Sequence, residues 1–464
     1  MAYIAAFRAL RYDPQRVPLQ KVVTQPYDKI SLQMQDHYYD ASPYNLVRII
    51  LGRSHSADGE GRNVYTRAST FFHDWRRNGI FLQDPQPSLY AYTQRFASPD
   101  GQQELERRGF IGLGRLEDYS TGIVFRHEQT LAKPKADRLE LLRATRAHFG
   151  QLFMLYSDSG EIESRLPTKN RPDIELTDEY GVMHRVWPIA DRAVVTQISG
   201  MMRDKRLIIA DGHHRYETAL TYRNEQRAAF AARSAAGGLR EASSGTTVVR
   251  TETASSVEPR LAASPDGDAP YEFAMMTFVN MNTPGLLILP THRVVHGMSS
   301  FSAEWLRSKA ELHFTVEEIE SSLNPAQATS ILENAGRRGT ALLAITAGRA
   351  FLIHSPKARD GQIFAGFSSR QRALDVVQLH KCLLEGVLGL SEESIRNQQN
   401  LSYVREAGEA LDRVRSGGAN VAFLMNPVRM EQVRDIAFAG EVLPQKSTDF
   451  YPKLLSGLTI YALD

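Results

Sequence analysis

The amino-acid sequence predicts a mixed α/β protein. Helix-like segments, strand-like segments and turn residues keep alternating along its 464 residues, which favours packed layers of both elements over a helical bundle or a β-sandwich. Hydrophobic residues make up 42% and charged residues 23%, as is ordinary for a globular chain that buries substantial cores. A chain of this length suggests two or three domains.

In the first half of the chain, periodicity predicts three elements. Aromatic side chains recur at period two in residues 89–93, as they do in a strand. Residues 137–149 place apolar side chains along one helical side, and Gly150 stands where such a helix would end. Residues 151–156 are apolar and predict a buried strand.

Residues 231–268 interrupt this pattern, because Ala, Ser, Gly, Thr and Pro dominate them. Their sparse large apolar side chains cannot offset the entropy of ordering so long a segment, so we predict a flexible insertion; a short ordered subdomain is the alternative. The predicted segments are an N-terminal α/β body (1–230), the insertion (231–268), a continuation with mixed strands and helices (269–370) and a C-terminal helical segment (371–464).

Beyond the insertion, turn and capping chemistry mark the elements. Asn324 and Pro325 suit the N-cap and first position of a helix that Gly336 would end. The other predictions are a strand-like stretch at 271–289, strands at 341–346 and 350–354 joined by a turn, and a helix at 375–390.

Charge and cysteine content exclude several classes of function. Lys plus Arg total 55 against 53 for Asp plus Glu, and no basic block stands out, which argues against nucleic-acid binding. Cys382, the only cysteine, excludes an internal disulfide, and we expect it to pack in a helix rather than act as a nucleophile. We find no signal-peptide pattern and no apolar run near the roughly 20 residues of a membrane span. We therefore expect a cytoplasmic protein that binds neither membrane nor nucleic acid; its oligomeric state stays open.

The most informative segment follows an apolar stretch, residues 207–210, that predicts a buried strand. Gly212 permits a tight turn, so His213, His214 and Arg215 would begin a helix, where free N–H groups and the helix dipole attract an anion. Arg215 adds a planar fork suited to phosphate oxygens.

Asp211, at the end of the same strand, could accept a proton, orient a hydroxyl or hold a metal-bound water. The alternative is an N-capping Asp beside two surface histidines. His213 and Glu217 would share a helix face, so a transition-metal site is conceivable, but no second ligand motif accompanies them and we assign no metal ligand.

Two further clusters carry suitable chemistry. His127 and Glu128 follow a strand-like stretch, and a Glu in such a loop can deprotonate a substrate hydroxyl; a solvated surface pair is the alternative. Lys446, Ser447 and Thr448 make a plausible phosphate clamp without the glycine frame of a Walker A loop.

Two weaker clusters, residues 26–28 and 291–293, could line a pocket or form turns and surface hydrogen bonds. The roles of Asp28 and His292 stay open.

The order of these motifs over nearly the whole chain resembles the bacterial and archaeal family called domain of unknown function 1015. The segments that carry this resemblance are residues 7–9, 25–28, 127–130, 210–217 and 444–448.

A second, partial resemblance is to archaeal free-serine kinases of the ParB/sulfiredoxin superfamily. These have a His-Glu-Gln segment, then Asp-Gly-His-His-Arg, then a Lys followed by two hydroxyl residues, which here correspond to 127–129, 211–215 and 446–448. The resemblance implies a ParB/sulfiredoxin-like core within a larger mixed-sheet body, followed by a C-terminal α/β lobe. His213 stands where sulfiredoxins have their catalytic Cys, and the Gly-Glu-Arg-Arg motif of ParB is missing, so neither of those activities is expected.

The resemblance implies phosphoryl transfer from ATP or ADP to a small-molecule hydroxyl, with free L-serine the leading acceptor and Mg²⁺ the helper. Glu128 would be the base and Asp211 would orient the substrate or a metal-bound water. His127 is the third predicted catalytic residue, and the remaining motif residues would hold phosphate. Those residues are Gly212, His213, His214, Arg215, Lys446, Ser447 and Thr448. A nucleotide-binding switch or hydrolase without an acceptor, and a non-catalytic scaffold, are the alternatives.

Overall fold

The computed structural model describes residues 1–99, 101–129, 132–241, 268–357 and 362–464. Its strands are β1 (Ile4–Ala5), β2 (Leu10–Tyr12), β3 (Phe81–Gln83), β4 (Leu89–Ala97), β5 (Glu104–Arg115), β6 (Val124–Phe125), β7 (Ala147–His148), β8 (Leu152–Tyr156), β9 (Ile174–Thr177), β10 (Met183–Ile189), β11 (Leu207–Asp211), β12 (Phe273–Asn280), β13 (Leu287–Leu289), β14 (His292–Val295), β15 (Thr315–Ile319), β16 (Ala341–Ile345), β17 (Ala350–His354), β18 (Leu401–Val404), β19 (Val421–Met425), β20 (Asp449–Tyr451) and β21 (Tyr461–Ala462).

Helices lie between the strands throughout. The α-helices are α1 (Leu32–Ala41), α2 (Val47–Ile50), α3 (Val64–Arg77), α4 (Ala132–Thr145), α5 (Glu161–Ser164), α6 (Arg192–Met202), α7 (His213–Glu241), α8 (Ala303–Ala310), α9 (Pro325–Gly336), α10 (Ser369–Arg372), α11 (Asp375–Gln378), α12 (Glu392–Arg396), α13 (Ala407–Arg415) and α14 (Met430–Phe438). Among the described residues, no helix is both long and apolar enough to cross a membrane.

The chain folds into two compact units, each made of separate stretches of sequence. Unit 1 comprises residues 1–125, 130–286 and 452–464, and unit 2 comprises residues 126–129 and 287–451. The four predicted segments stay a prediction as domains, although α7 continues across the boundary placed at 230.

Unit 1 is built on a mixed sheet that has nine strands in the described residues. Its order is β6-β11-β8-β12-β5-β4-β10-β9, with β1 beside β5; β11 runs parallel to β6 and β12 to β8, and the other pairs are antiparallel. Side chains of α6 and α7, such as Ile198 and Tyr216, pack on one face with strand residues such as Met154. This sheet places the carboxyl end of β11 next to β8.

Unit 2 contains an antiparallel sheet of order β15-β17-β16-β19-β14-β18 in the part of the chain that is described. Helices α9 and α13 cover it through Leu332, Leu411 and Val414. Asn324 caps α9 and Pro325 opens it, as the sequence predicts. The mixed α/β class predicted from the sequence is therefore confirmed.

Two predicted boundaries are corrected. The helix predicted to reach residue 149 ends at Thr145, because Arg146 adopts φ +50° and Ala147–His148 pairs with β21, a partner more than 300 positions away. The predicted insertion begins inside α7, which runs to Glu241, since an alanine-rich stretch favours continuing a helix. The remainder of that insertion, 242–267, lies outside the described residues.

The helix predicted at 375–390 is present but irregular. It begins as α11 and continues as a π-helix, Leu379–Val387. Cys382 is buried within it, as expected of a packing residue, and burial raises the pKa of its thiol to about 11. The thiol is therefore protonated near neutral pH, which argues against nucleophilic use.

Candidate functional site

The turn between β11 and α7 has the geometry expected of an anion-binding loop. Gly212 adopts φ +94°, in the left-handed region that favours glycine, and α7 begins at the next residue. A Cβ on Gly212 would lie 3.0 Å from Nη2 of Arg215 and from Cδ2 of Leu152. The glycine therefore lets the guanidinium approach the backbone at the start of the helix.

Arg215 is fixed by two hydrogen bonds. Its Nη1 donates to the carbonyl of Gln151 at 2.6 Å, and its Nη2 donates to Oδ2 of Asp211 at 3.0 Å. Gly150 is the second close neighbour, because a Cβ there would lie 3.2 Å from Nη1. The guanidinium of Arg215 is thus held by one acceptor immediately before β8 and one at the end of β11, so its orientation is fixed.

Asp211 stands among several cations. Lys453 places its Nζ 3.6 Å from Oδ1 of Asp211, and Arg215 engages the other carboxylate oxygen. Burial by itself raises the pKa of Asp211, but Lys453, Arg215 and Lys29 more than offset it, so the net pKa is below its ordinary value. The carboxylate is therefore ionised at neutral pH and its neighbourhood carries more positive than negative charge.

The two histidines of the motif differ in exposure. His213 is buried at the first position of α7, whereas His214 is half-buried. Glu217, four residues after His213, forms an ion pair with Nζ of Lys135 at 2.8 Å. Within the described ranges, no group of three or more His, Cys, Asp or Glu side chains is placed to hold a metal ion.

A small cavity opens beside Arg215. Its volume is about 70 Å³, well below the several hundred Å³ of pockets for drug-sized ligands, so it suits a phosphate group or a small metabolite. Its polar lining comes from Tyr27, Arg138, His148, Arg215, Thr218 and Ser456, and its apolar lining includes Leu141, Leu142, Phe149 and Leu152.

Burial keeps Tyr27 and His148 of this cavity uncharged at neutral pH, and Arg138 is held against the ring of Tyr27. The guanidinium of Arg138 lies 4.1 Å from the ring centre of Tyr27, a cation–π contact, and burial raises the pKa of Tyr27 to about 12. Burial, reinforced by Arg215, lowers the pKa of His148 to about 4. At neutral pH the cavity therefore presents a neutral imidazole, a phenol and two arginines, Arg138 and Arg215.

In unit 2, the second and third predicted motifs lie side by side. The amide of Leu443 donates to the carbonyl of His127 at 2.7 Å, and Glu128 pairs with Leu443 as an isolated parallel bridge. Nε2 of His127 lies 2.8 Å from the hydroxyl of Thr448. Segments more than 300 positions apart thus share one local structure.

Glu128 contacts the Lys446–Thr448 loop directly. Its Oε1 accepts a 2.7 Å hydrogen bond from the backbone amide of Ser447, and the hydroxyl of Ser447 donates to the carbonyl of Pro444. Lys446 adopts φ +57° and is exposed at the apex of the loop. The carboxylate predicted as a base and the lysine predicted as a phosphate clamp therefore flank a single peptide unit.

The weaker motif at 291–293 forms a buried support for this loop. Arg293 is fully buried, donates to the carbonyls of Thr291 and Gln445, and places its Nε 3.3 Å from Nε2 of His380. Burial lowers the pKa of Arg293 to about 10, so it stays charged at neutral pH. His292 is likewise buried and accepts from the amide of Met425, which assigns it to packing within the unit.

The predicted site residues thus form two groups, one in each unit. In unit 1, Arg215 lines the cavity and lies against Asp211 and Gly212. In unit 2, Glu128 accepts from the amide of Ser447, next to Lys446. That both groups serve one ligand, and the individual catalytic roles, stay predictions. Gln129 is exposed, and Thr130 lies outside the described residues.

The sequence did not indicate that Lys453 or Gly150 belongs to the candidate site. Lys453 follows the predicted Lys446–Thr448 clamp in the sequence, but only the fold shows that its side chain is buried beside Asp211. Gly150 was predicted to end a helix, whereas in the structure it adjoins Arg215 and Ser456. Neither role leaves a local sequence signal, because each depends on a partner more than 60 positions away.

Comparison with known proteins gives one family and several distant structures. The family described as Protein of unknown function (DUF1015) matches residues 4–247 and 250–377. No curated protein matches the chain significantly.

Similar solved structures include a conserved hypothetical protein from Pyrococcus furiosus, at 13% identity and TM-score 0.33, covering 72% of this chain and 89% of that one. A free serine kinase in complex with AMP has 13% identity and TM-score 0.34, covering 71% and 83% of the two chains. SbnI from Staphylococcus aureus, truncated at its C-terminus, has 9% identity and TM-score 0.34, covering 76% and 87%. These values are too low to transfer an activity.

Proposed function

The chain belongs to the family described as Protein of unknown function (DUF1015), and for this member we propose transfer of a phosphoryl group from ATP or ADP to the hydroxyl of a small molecule. Free L-serine is the leading acceptor. The proposal joins the motif resemblance to free-serine kinases with the geometry of the two groups of residues described above.

The hydrogen bond from the Ser447 amide to Glu128 is the observation that carries this proposal. A phosphoryl transfer requires a base at the attacking hydroxyl and donors at the transferring phosphate, held close together. Glu128 supplies the carboxylate, and the adjoining Lys446–Thr448 loop supplies the ammonium of Lys446 and the hydroxyl of Thr448, while the Ser447 hydroxyl holds the loop through the Pro444 carbonyl. Glu128 would take the hydroxyl proton as the oxygen attacks phosphorus, and the shortened nucleotide would leave.

The turn of unit 1 supports the same reaction class. Arg215 is oriented at the start of α7, and Lys453 adds a second buried cation beside the single carboxylate of Asp211. Excess positive charge with helix N–H groups is the arrangement that binds phosphate in many proteins. The small cavity beside Arg215 has room for a phosphate group or for an acceptor the size of an amino acid.

The described residues do not form a cage for a resident metal ion. Both carboxylate oxygens of Asp211 already lie near cations, and Glu217 is paired with Lys135. Mg²⁺ commonly binds through substrate phosphates with few protein ligands. We therefore assign Mg²⁺ to the phosphates of the nucleotide, so that the Mg²⁺–nucleotide complex is the substrate.

Incubation of the purified protein with Mg²⁺-ATP or Mg²⁺-ADP and L-serine tests the proposal. We expect O-phosphoserine by mass spectrometry, formed in proportion to enzyme. A panel of other small hydroxylated acceptors extends the assay if serine is not the acceptor. Absence of any phosphorylated product over the whole panel would overturn the kinase proposal; nucleotide hydrolysis without a product would instead indicate a hydrolase.

A further inference from the structure

Three adjacent strands of unit 1 carry a row of buried polar side chains. In the register of the sheet, Gln94 of β4 lies directly opposite Arg107 of β5 on one side and His184 of β10 on the other. The three side chains are 1%, 2% and 0% exposed. Because buried polar groups cost free energy unless they are hydrogen-bonded, packing alone would favour apolar residues at these positions.

The hydrogen bonds of this row lead to the segment that carries Lys453. Nε of Arg107 donates to Oε1 of Gln94 at 3.0 Å, and its Nη2 donates to the carbonyl of Pro452. The amide nitrogen of Gln94 donates to the carbonyl of Lys453 at 2.8 Å. The row therefore fixes two consecutive carbonyl groups of a segment that has no strand or helix of its own.

At the other end of this row, both ring nitrogens of His184 have hydrogen-bond partners. His184 lies with Nε2 3.2 Å from Oδ2 of Asp178 and with Nδ1 2.7 Å from the hydroxyl of Tyr92. That hydroxyl also hydrogen-bonds the backbone of Leu455. Burial lowers the pKa of His184, so a neutral imidazole donates to Asp178 and accepts from Tyr92.

We propose that Lys453 is a ligand-binding cation of the anion site beside Asp211 and that Gln94 is the residue that positions it. This inference rests on the proposed function, because it assigns the bound anion to a nucleotide phosphate. The Lys453 side chain is 9% exposed and its Nζ lies 3.6 Å from Asp211, next to the fork of Arg215. A phosphate at this turn would be bound by both cations, and Asp211 keeps them in place when no phosphate is bound.

The test measures ADP binding without an acceptor, by calorimetry on the full chain. Lys453→Met should weaken ADP binding at least about tenfold, as loss of one charged hydrogen bond does. Lys453→Arg should recover part of it. Lys205→Met is the matched control, because Lys205 forms an ion pair with Asp158 at 3.4 Å elsewhere in unit 1. This variant should bind ADP as tightly as the unmodified protein does.

Gln94→Glu isolates the positioning role. The new carboxylate keeps an acceptor for Arg107 and nearly the same shape, but its second oxygen faces the Lys453 carbonyl oxygen and repels it. We expect a melting temperature within a few degrees of the unmodified protein, because Arg107 pairs with the new charge, and ADP binding weakened at least about threefold, since the lost hydrogen bond alone accounts for that much.

A carboxyl titration distinguishes a local loss of charge from general disruption. Lys453 is the first of the charges that lower the pKa of Asp211, so the pKa of that carboxyl, followed by NMR, should be higher in Lys453→Met than in the unmodified protein. Equal ADP affinity in folded Lys453→Met, with tight binding by the unmodified protein, would overturn this inference alone. No ADP binding by the unmodified protein would overturn the proposed function as well.

Discussion

The backbone amide of Ser447 donates a 2.7 Å hydrogen bond to the carboxylate of Glu128, across 319 positions of chain. This contact fixes the distance between a carboxylate suited to accept a proton and a loop suited to hold phosphate. A change at either residue therefore has separate consequences for chemistry and for loop geometry.

Glu128→Gln should remove phosphoryl transfer and keep nucleotide binding. The amide oxygen still accepts from Ser447, but glutamine cannot take the proton of the acceptor hydroxyl. We expect turnover to fall about 10²- to 10⁴-fold, the usual contribution of a general base, measured as product formed per enzyme. Glu441→Gln, a carboxylate of the same unit bonded to Ser368, is the control. If turnover fell by a similar factor in both variants, the loss would reflect disturbed folding of unit 2 and not the absence of a base.

Arg215→Ala should weaken nucleotide binding rather than the chemical step. The guanidinium of Arg215 is oriented by Gln151 and Asp211, and the alanine variant leaves Lys453 as the ion-pair partner of Asp211. A loss of about 1.5–3 kcal/mol is typical of a charged hydrogen bond, so the dissociation constant should rise roughly 10- to 150-fold. Arg227→Ala, an exposed arginine of α7 paired with Glu272, should bind nucleotide normally. Unchanged affinity in Arg215→Ala would remove Arg215 from the site.

Gly150→Ala should narrow the cavity without straining the backbone. The new methyl group would lie 3.0 Å from Oγ of Ser456 and 3.2 Å from Nη1 of Arg215, so at least one of them must shift. We expect weaker phosphate binding, by about threefold or more for a misplaced charged donor, with little change in melting temperature. Gly348→Ala, whose Cβ meets nothing within 4 Å, is the matched control.

Asp375→Asn should make the stability of unit 2 fall less steeply as pH rises. Burial raises the pKa of Asp375 to about 7, despite hydrogen bonds from Thr340 and Ala341. Because the folded-state pKa exceeds the ordinary value of 3.8, the stability associated with this carboxyl is present below pH 3.8 and is lost as pH rises to about 7.

Relative to the unmodified protein, Asp375→Asn should therefore gain stability by roughly 1 kcal/mol per pH unit across that window. Denaturant melts at several pH values measure the difference, in which other titrating groups cancel. Asp435→Asn, at an exposed carboxylate, should show no such trend. A constant difference between Asp375→Asn and the unmodified protein would contradict the prediction.

The sequence allowed the local elements and the motifs to be predicted, but not most of their partners. The turn at Gly212 and the capped helix after Asn324 depend on neighbours within a few residues, and both form as predicted. The end of α4 was placed too late because β7 pairs with β21, a contact that no local pattern reports. The expectation that Glu128 and Lys446 serve one reaction came only from the motif resemblance, since spacing along a chain carries no distance in space.

The buried row of Gln94, Arg107 and His184 was missed for the same reason. On a strand, a lone polar residue at an inward position looks like an ordinary surface residue. Only the register of three strands shows that these side chains meet, and only the C-terminal segment shows what they bind.

The last stretch of unit 1, residues 452–464, follows unit 2 in the chain, and this order has a consequence for synthesis on the ribosome. Ser456 pairs with Thr24, Ile460 with Leu10, and β21 with β7, so three early segments lack their partners while residues 287–451 emerge. A nascent chain must therefore hold an unfinished N-terminal body through the translation of about 165 further residues. Arrested nascent chains should stay protease-sensitive near β7 until residue 462 has left the exit tunnel, so the anion site matures only after unit 2 has been translated.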